Sequence, residues 1–158
     1  MRDLAPASDA RALCHRHDAA AHQPAEGRRR AVTFDQAALL RRAASALKSA
    51  QLLFAAGQFE DAASPSYYAM FSTAQALLVH KGLTFKRHGA VVSAFAEHFT
   101  NPGVLPREMH RALIDAQVDR LNADYGGDQP PDRAAVARDI AAAERMIAAA
   151  RAWLEAQP

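Results

Sequence analysis

A single cysteine, Cys14, occurs in the 158 residues, which excludes an intramolecular disulfide and a cysteine-built zinc site. That usage suits a reducing compartment, and a cytoplasmic location is expected. Long hydrophobic runs are absent as well. Arg, Lys, Asp or Glu interrupts every helical pattern short of the ~20 apolar residues that a membrane span needs, so no transmembrane segment is expected. No stretch of four or more residues shows the β-branched alternation of a strand, and no internal repeat is found. Nor does one sign of charge prevail. The chain has 19 basic and 17 acidic residues; residues 1–32 hold six Arg and four acids, which leaves 13 of each sign from Thr33 onward. A neutral body argues against a strong nonspecific hold on nucleic acid, while a local patch could still supply one.

What is present is a half-hydrophobic chain suited to one compact domain. Residues 1–32 offer only Leu4, Leu13 and Val32 as large aliphatics and no aromatic, too little to build a core. They read as a flexible N-terminal extension. They lack the apolar centre of a secretory signal, and Asp3, Asp9, Asp18 and Glu26 count against a transit peptide. The run Cys14-His15-Arg16-His17 is too crowded to hold a metal without a second cluster, so no metal or cofactor is expected. Arg28-Arg29-Arg30 reads as a solvated linker ahead of an RNA contact.

Residues 33–158 carry helical patterns. Thr33 and Gln36 have capping-box spacing, and Leu40, Leu47 and Phe54 then recur at sevens until Gly57. A second pattern runs from Phe59 to His80 with Tyr68, Phe71, Gln75 and Leu78 on one face. Its start is open: Ser64-Pro65 could cap it, or Pro65 could kink a helix begun near Phe59. A short helix follows over Gly89 to Phe99, stopped by Asn101-Pro102-Gly103. Another begins at Pro106 and passes Leu113 and Leu121 to Tyr125-Gly126-Gly127. After Pro130-Pro131-Asp132, the residues Val136, Ile140, Ala143, Ile147, Ala150 and Leu154 alternate steps of four and three, which marks a last long helix. The fold expected is an all-α, up-and-down bundle of about five helices. Tyr67, Tyr68, Phe71, Phe85, Phe95, Phe99 and Trp153 supply apolar surface for one core and for a dimer face.

Several segments in order carry more than periodicity. Ala62-Ala63-Ser64-Pro65-Ser66-Tyr67-Tyr68-Ala69-Met70-Phe71 is followed by Ala76-Leu77-Leu78, Lys81-Gly82-Leu83 and His88-Gly89-Ala90-Val91-Val92-Ser93-Ala94-Phe95. Gly103-Val104-Leu105-Pro106 and Arg120-Leu121-Asn122-Ala123-Asp124-Tyr125-Gly126 complete the series. Over about residues 33 to 155 this succession resembles the HEPN domain family, in its small bacterial branch. The resemblance implies a helical bundle that forms a two-fold homodimer. It also implies a role in toxin-antitoxin or defence modules, often beside a minimal nucleotidyltransferase partner, with several members acting as metal-independent ribonucleases on RNA.

The ribonuclease signature of that family is an Arg followed after four to six residues by a His. Arg120 matches the arginine, but Tyr125, Gly126 and Gly127 stand where the histidine would fall. Metal-free RNA cleavage needs a base for the 2′-hydroxyl proton, an acid for the leaving oxygen and a cation for the phosphorane. Arg120 can supply the cation; Asp124 and Tyr125 are the remaining candidates to accept and donate protons. The missing imidazole weighs against a ribonuclease of the usual kind, and the plainest reading of Arg120 and Asp124 is an ion pair four residues apart on a helix. Tyr125 has a further role open to it, because some family members are nucleotidylated by the partner enzyme on a tyrosine near the Arg motif. Lys86, Arg87 and His88 form a basic cluster at a helix start, where phosphate or RNA could bind, although a hydrogen-bonded cap that fixes the loop is the plainer reading of His88. A non-catalytic dimeric interaction subunit is the second functional reading.

Overall fold

A computed structural model describes residues 35–158. The expected N-terminal extension and Thr33 lie outside them. Among the described residues the chain forms five α-helices and no strand: α1 (Gln36–Ala55), α2 (Phe59–His80), α3 (His88–Phe95), α4 (Arg107–Tyr125) and α5 (Arg133–Glu155). The all-α bundle expected from the sequence is the fold observed.

Helix α1 starts from Asp35, whose carboxylate accepts the Ala37 backbone N–H at 3.0 Å, and so the capping residue is Asp35. The Leu40, Leu47 and Phe54 series lies half-buried, while Leu39, Ala43 and Ala50 make the fully buried seam. Alanines there let α1 approach α2 closely. Gly57 then takes a left-handed conformation (φ 78°), which turns the chain into α2.

Helix α2 is the centre of the bundle, packed against α1, α3, α4 and α5. It is continuous from Phe59, with Pro65 inside it, which resolves the two starts left open by the sequence. Pro65 cannot donate a backbone hydrogen bond, so the turn around it relies on neighbours, and the Ser66 hydroxyl donates to the Ala62 carbonyl at 2.8 Å. Ala62, Ala63, Tyr67, Met70, Phe71, Ala74, Leu77 and Leu78 are all buried, so the helix is apolar nearly all round. That is the pattern of a core helix and the reason a one-faced reading of it was too narrow.

Around α2 the main core joins Tyr67 and Met70 to Phe95, Phe99, Leu113 and Met146. A second cluster at the α1–α2 turn gathers Ala50, Ala62, Ala63, Val136 and Ile140, with Phe54 and Phe59 against it. Helix α3 passes into a π-helical turn, Ala96–Thr100, that keeps Phe99 on the core side, with its ring edge-on to Trp153 at 5.1 Å. Pro106 is the residue before α4 rather than its first turn. Asp132 caps α5 by accepting the Ala135 N–H at 2.8 Å.

One buried group was not anticipated. Asp139 of α5 is only 1% exposed. Its Oδ1 accepts from Arg138 Nε and Nη2 at 3.2 and 3.0 Å, and the same guanidinium pairs with Asp119 of α4. Its Oδ2 is buried without a partner among the described residues. Burial pushes the Asp139 carboxyl up to about 7; Arg138 opposes that rise and Asp119 adds to it.

Candidate functional site

Three helices bring the sequence-selected residues to one region. Arg120 and Asp124 lie one turn apart on α4, with Arg120 Nε 3.1 Å from Asp124 Oδ2. The Nε–H is not aimed at that oxygen, so the contact is an ion pair without a directed hydrogen bond. The other carboxylate oxygen of Asp124 accepts the Ser64 hydroxyl of α2 at 2.8 Å. Asp124 is therefore held from two sides, by one accepted hydrogen bond and one ion pair.

The Arg120 guanidinium rests against the α2 aromatics, 4.9 Å from the Tyr68 ring centre and 5.5 Å from that of Tyr67. Its side chain is 17% exposed. A weakly hydrated, planar cation stacked on rings keeps its charge while losing much of its water, which sharpens any contact with an incoming anion. The same two tyrosines meet His88, the first residue of α3. The Tyr67 hydroxyl lies 3.3 Å from His88 Nδ1, the Tyr68 ring is edge-on to the imidazole at 6.3 Å, and Phe71 stacks on it at 4.3 Å. Tyr67 is fully buried, and burial pushes its phenol up to about 12 against the pull of Arg120. His88 is exposed, so its outer edge faces solvent.

Lys86 and Arg87 are exposed in the segment that leads into α3, and neither makes a hydrogen bond or ion pair from its side chain among the described residues. Tyr125, by contrast, is 77% exposed at the end of α4 and joins none of the contacts around Arg120. Gly126 closes α4 in a left-handed conformation (φ 65°), and a Cβ on Gly127 would come within 2.7 Å of the Asn122 side chain. The chain thus leaves the helix where the family's histidine would stand.

Ser64 and Tyr67 are the site members that sequence reasoning missed. Ser64 entered the sequence reading only as a possible cap before Pro65, and Tyr67 as part of the core or a dimer face; their polar partners come from α4 for Ser64 and from α3 for Tyr67. Two open surface recesses lie elsewhere. One of about 520 Å³ is lined by Glu60, Asp61, Asp132 and Arg133, and a neighbour of about 530 Å³ by Asp119, Asp128 and Asp132. Their mainly acidic lining disfavours phosphate, in contrast to the positive charge of Arg120 beside the exposed His88. No group of three or more metal-ligating side chains occurs among the described residues, and no helix among them is long and apolar enough to cross a membrane.

A model of the HEPN domain matches residues 36–154, which spans α1 to α5. The chain belongs to the HEPN domain family. A UPF0332 protein of Gloeobacter violaceus is 42% identical over 96 residues, covering 61% of this chain and 76% of its own length. A protein of Methanocaldococcus jannaschii, named as a candidate toxin, is 35% identical over 98 residues, 62% of this chain and 73% of that one. A second candidate toxin of that organism is 31% identical over 87 residues, 55% and 59% of the two chains. Within this HEPN domain Arg120 lies on α4.

Proposed function

We propose that this HEPN domain protein is the toxin-like subunit of a toxin-antitoxin or defence module, directed at RNA or regulated by a minimal nucleotidyltransferase partner, and the site's chemistry favours the first. The observation that carries the RNA contact is the Arg120 guanidinium, stacked on Tyr68 and Tyr67 beside the exposed His88. A phosphodiester meets there a permanent cation with an N–H face, and Lys86 and Arg87 extend the positive charge toward the next phosphate. The toxin names of the archaeal relatives support the module.

Expression of the wild type, Arg120→Ala and Asp124→Ala, each shown to fold by circular dichroism, tests it. Growth arrest with loss of RNA integrity in the wild type, abolished by either substitution, supports a divergent ribonuclease. Absence of both effects, with no affinity for RNA at low salt, sinks the RNA reading.

A specific observation favours a second reading, a dimeric interaction subunit. Ile114, Val118, Leu121 and Tyr125 form an exposed apolar stripe along α4, at steps of four, three and four. The stripe lies on a different face of α4 from Arg120, which packs on Tyr68 and Tyr67 of α2, so pairing through it would leave the Arg120 contacts in place.

A further inference from the structure

Tyr67 is fully buried, and among the described residues its hydroxyl has one hydrogen-bond partner, Nδ1 of His88 at 3.3 Å. A buried phenol that keeps its proton must donate it somewhere, since a buried donor left without a partner has lost its water for nothing. The phenol does keep it, being held near 12. Nδ1 is therefore the acceptor, and a neutral imidazole with its lone pair on Nδ1 carries its proton on Nε2. The two ring nitrogens point to opposite sides. With Nδ1 turned to the buried tyrosine and the ring stacked on Phe71, Nε2 faces away from the core at an exposed residue.

We propose that Tyr67 is a positioning residue that fixes His88 as a hydrogen-bond donor at Nε2, so that the site meets an RNA phosphate with two N–H groups, one from His88 and one from Arg120. The inference rests on the RNA reading above and deepens it. Nε2 carries a proton in the neutral and the charged imidazole alike, so His88 offers no lone pair to take the 2′-hydroxyl proton. It binds a phosphate oxygen and does not stand in for the family's missing base.

The first test needs no RNA. In alkaline buffer, where imidazole is neutral, long-range nitrogen–proton NMR on the full chain reads the tautomer of His88, its signal assigned by its loss in His88→Gln. The Nε2-protonated form is expected in the wild type, and a mixture of tautomers in Tyr67→Phe, which keeps the ring and removes the hydroxyl. An Nδ1-protonated wild type, or a Tyr67→Phe spectrum unchanged from wild type, overturns the proposal.

The second test measures single-stranded RNA affinity at low salt by fluorescence anisotropy. Gln places an amide donor where Nε2 stands, and Asn places one where Nδ1 stands. His88→Gln is expected within about twofold of wild type, and His88→Asn roughly tenfold weaker, the loss of one hydrogen bond to a charged group. Weakening by both variants alike overturns the donor role. Equal, measurable affinity in all three proteins overturns the donor role of His88 while the Arg120 contact stands; no measurable affinity in any of them overturns the RNA reading.

Discussion

The Ser64 hydroxyl of α2 donates to the Asp124 carboxylate of α4 at 2.8 Å, across two helices that are 60 residues apart in sequence. It is the polar tie beside Pro65, and it fixes the carboxylate that faces Arg120. Ser64→Ala is expected to lower stability by about 1 kcal/mol in urea denaturation, the usual net worth of a partly exposed hydrogen bond to a charged group. Ser64→Thr, which keeps the hydroxyl, is expected to stay close to wild type. Equal stability of the alanine variant and the wild type would show that the tie contributes nothing.

Arg120→Lys separates charge from shape. Lysine keeps the positive charge, but it lacks the plane that lies on Tyr68 and Tyr67. RNA affinity is expected to fall about tenfold although net charge is unchanged. An affinity equal to wild type would mean that the ring contacts do not matter to binding.

Asp139 gives the protein a stability that depends on pH in an unusual direction. Its folded carboxyl is raised to about 7 from 3.8, so between those values the folded chain holds a proton that the unfolded chain has released. Its contribution is fully present below the unfolded value and is lost as pH rises through about 7. Urea midpoints measured across that range should fall with rising pH. Asp139→Asn, which keeps an acceptor for Arg138, should flatten that part of the profile; an unaltered slope would remove Asp139 as its source.

The apolar stripe on α4 is tested by mass. Val118 is 51% exposed, and burying it with Leu121 between two copies would remove both from water. Light scattering at micromolar concentration is expected to give a dimer for the wild type and a monomer for Val118→Glu with Leu121→Glu. A monomeric wild type would rule out pairing at that concentration.

The helices were legible because their stops are chemical. Gly57, Gly82, Gly103 and Gly126 each take a positive φ after a helix or turn, and Asp132 caps α5 as its place after Pro130-Pro131 suggested. The α5 seam was equally plain: Val136, Ile140, Ala143, Ile147 and Ala150 are all buried. Faces were harder. On α1 the burial shifted from Leu40 to Leu39, because alanines at 43 and 50 pack more closely than a leucine series does. On α4 Leu121 proved exposed, since eight residues beyond Leu113 it has turned about 80° away from the core seam of Leu113 and Ala116.

The candidate site was half legible. The i,i+4 spacing of Arg120 and Asp124 already implied their ion pair, which forms at 3.1 Å. Contacts between helices had no local signal. Nothing near His88 in sequence names Tyr67 as its partner, and nothing near Asp139 names Asp119, because both meetings depend on how α2, α3, α4 and α5 cross.

The glycines that end α4 bear on whether the family's motif could be regained. Of the three places where a histidine would complete it, position 125 turns outward, position 126 has a backbone that costs an L side chain about 1–2 kcal/mol, and position 127 is filled by Asn122. Each of the three positions thus meets an obstacle of its own, in exposure, backbone or space, and the company Arg120 has comes instead from Asp124 one turn on and from the α2 rings.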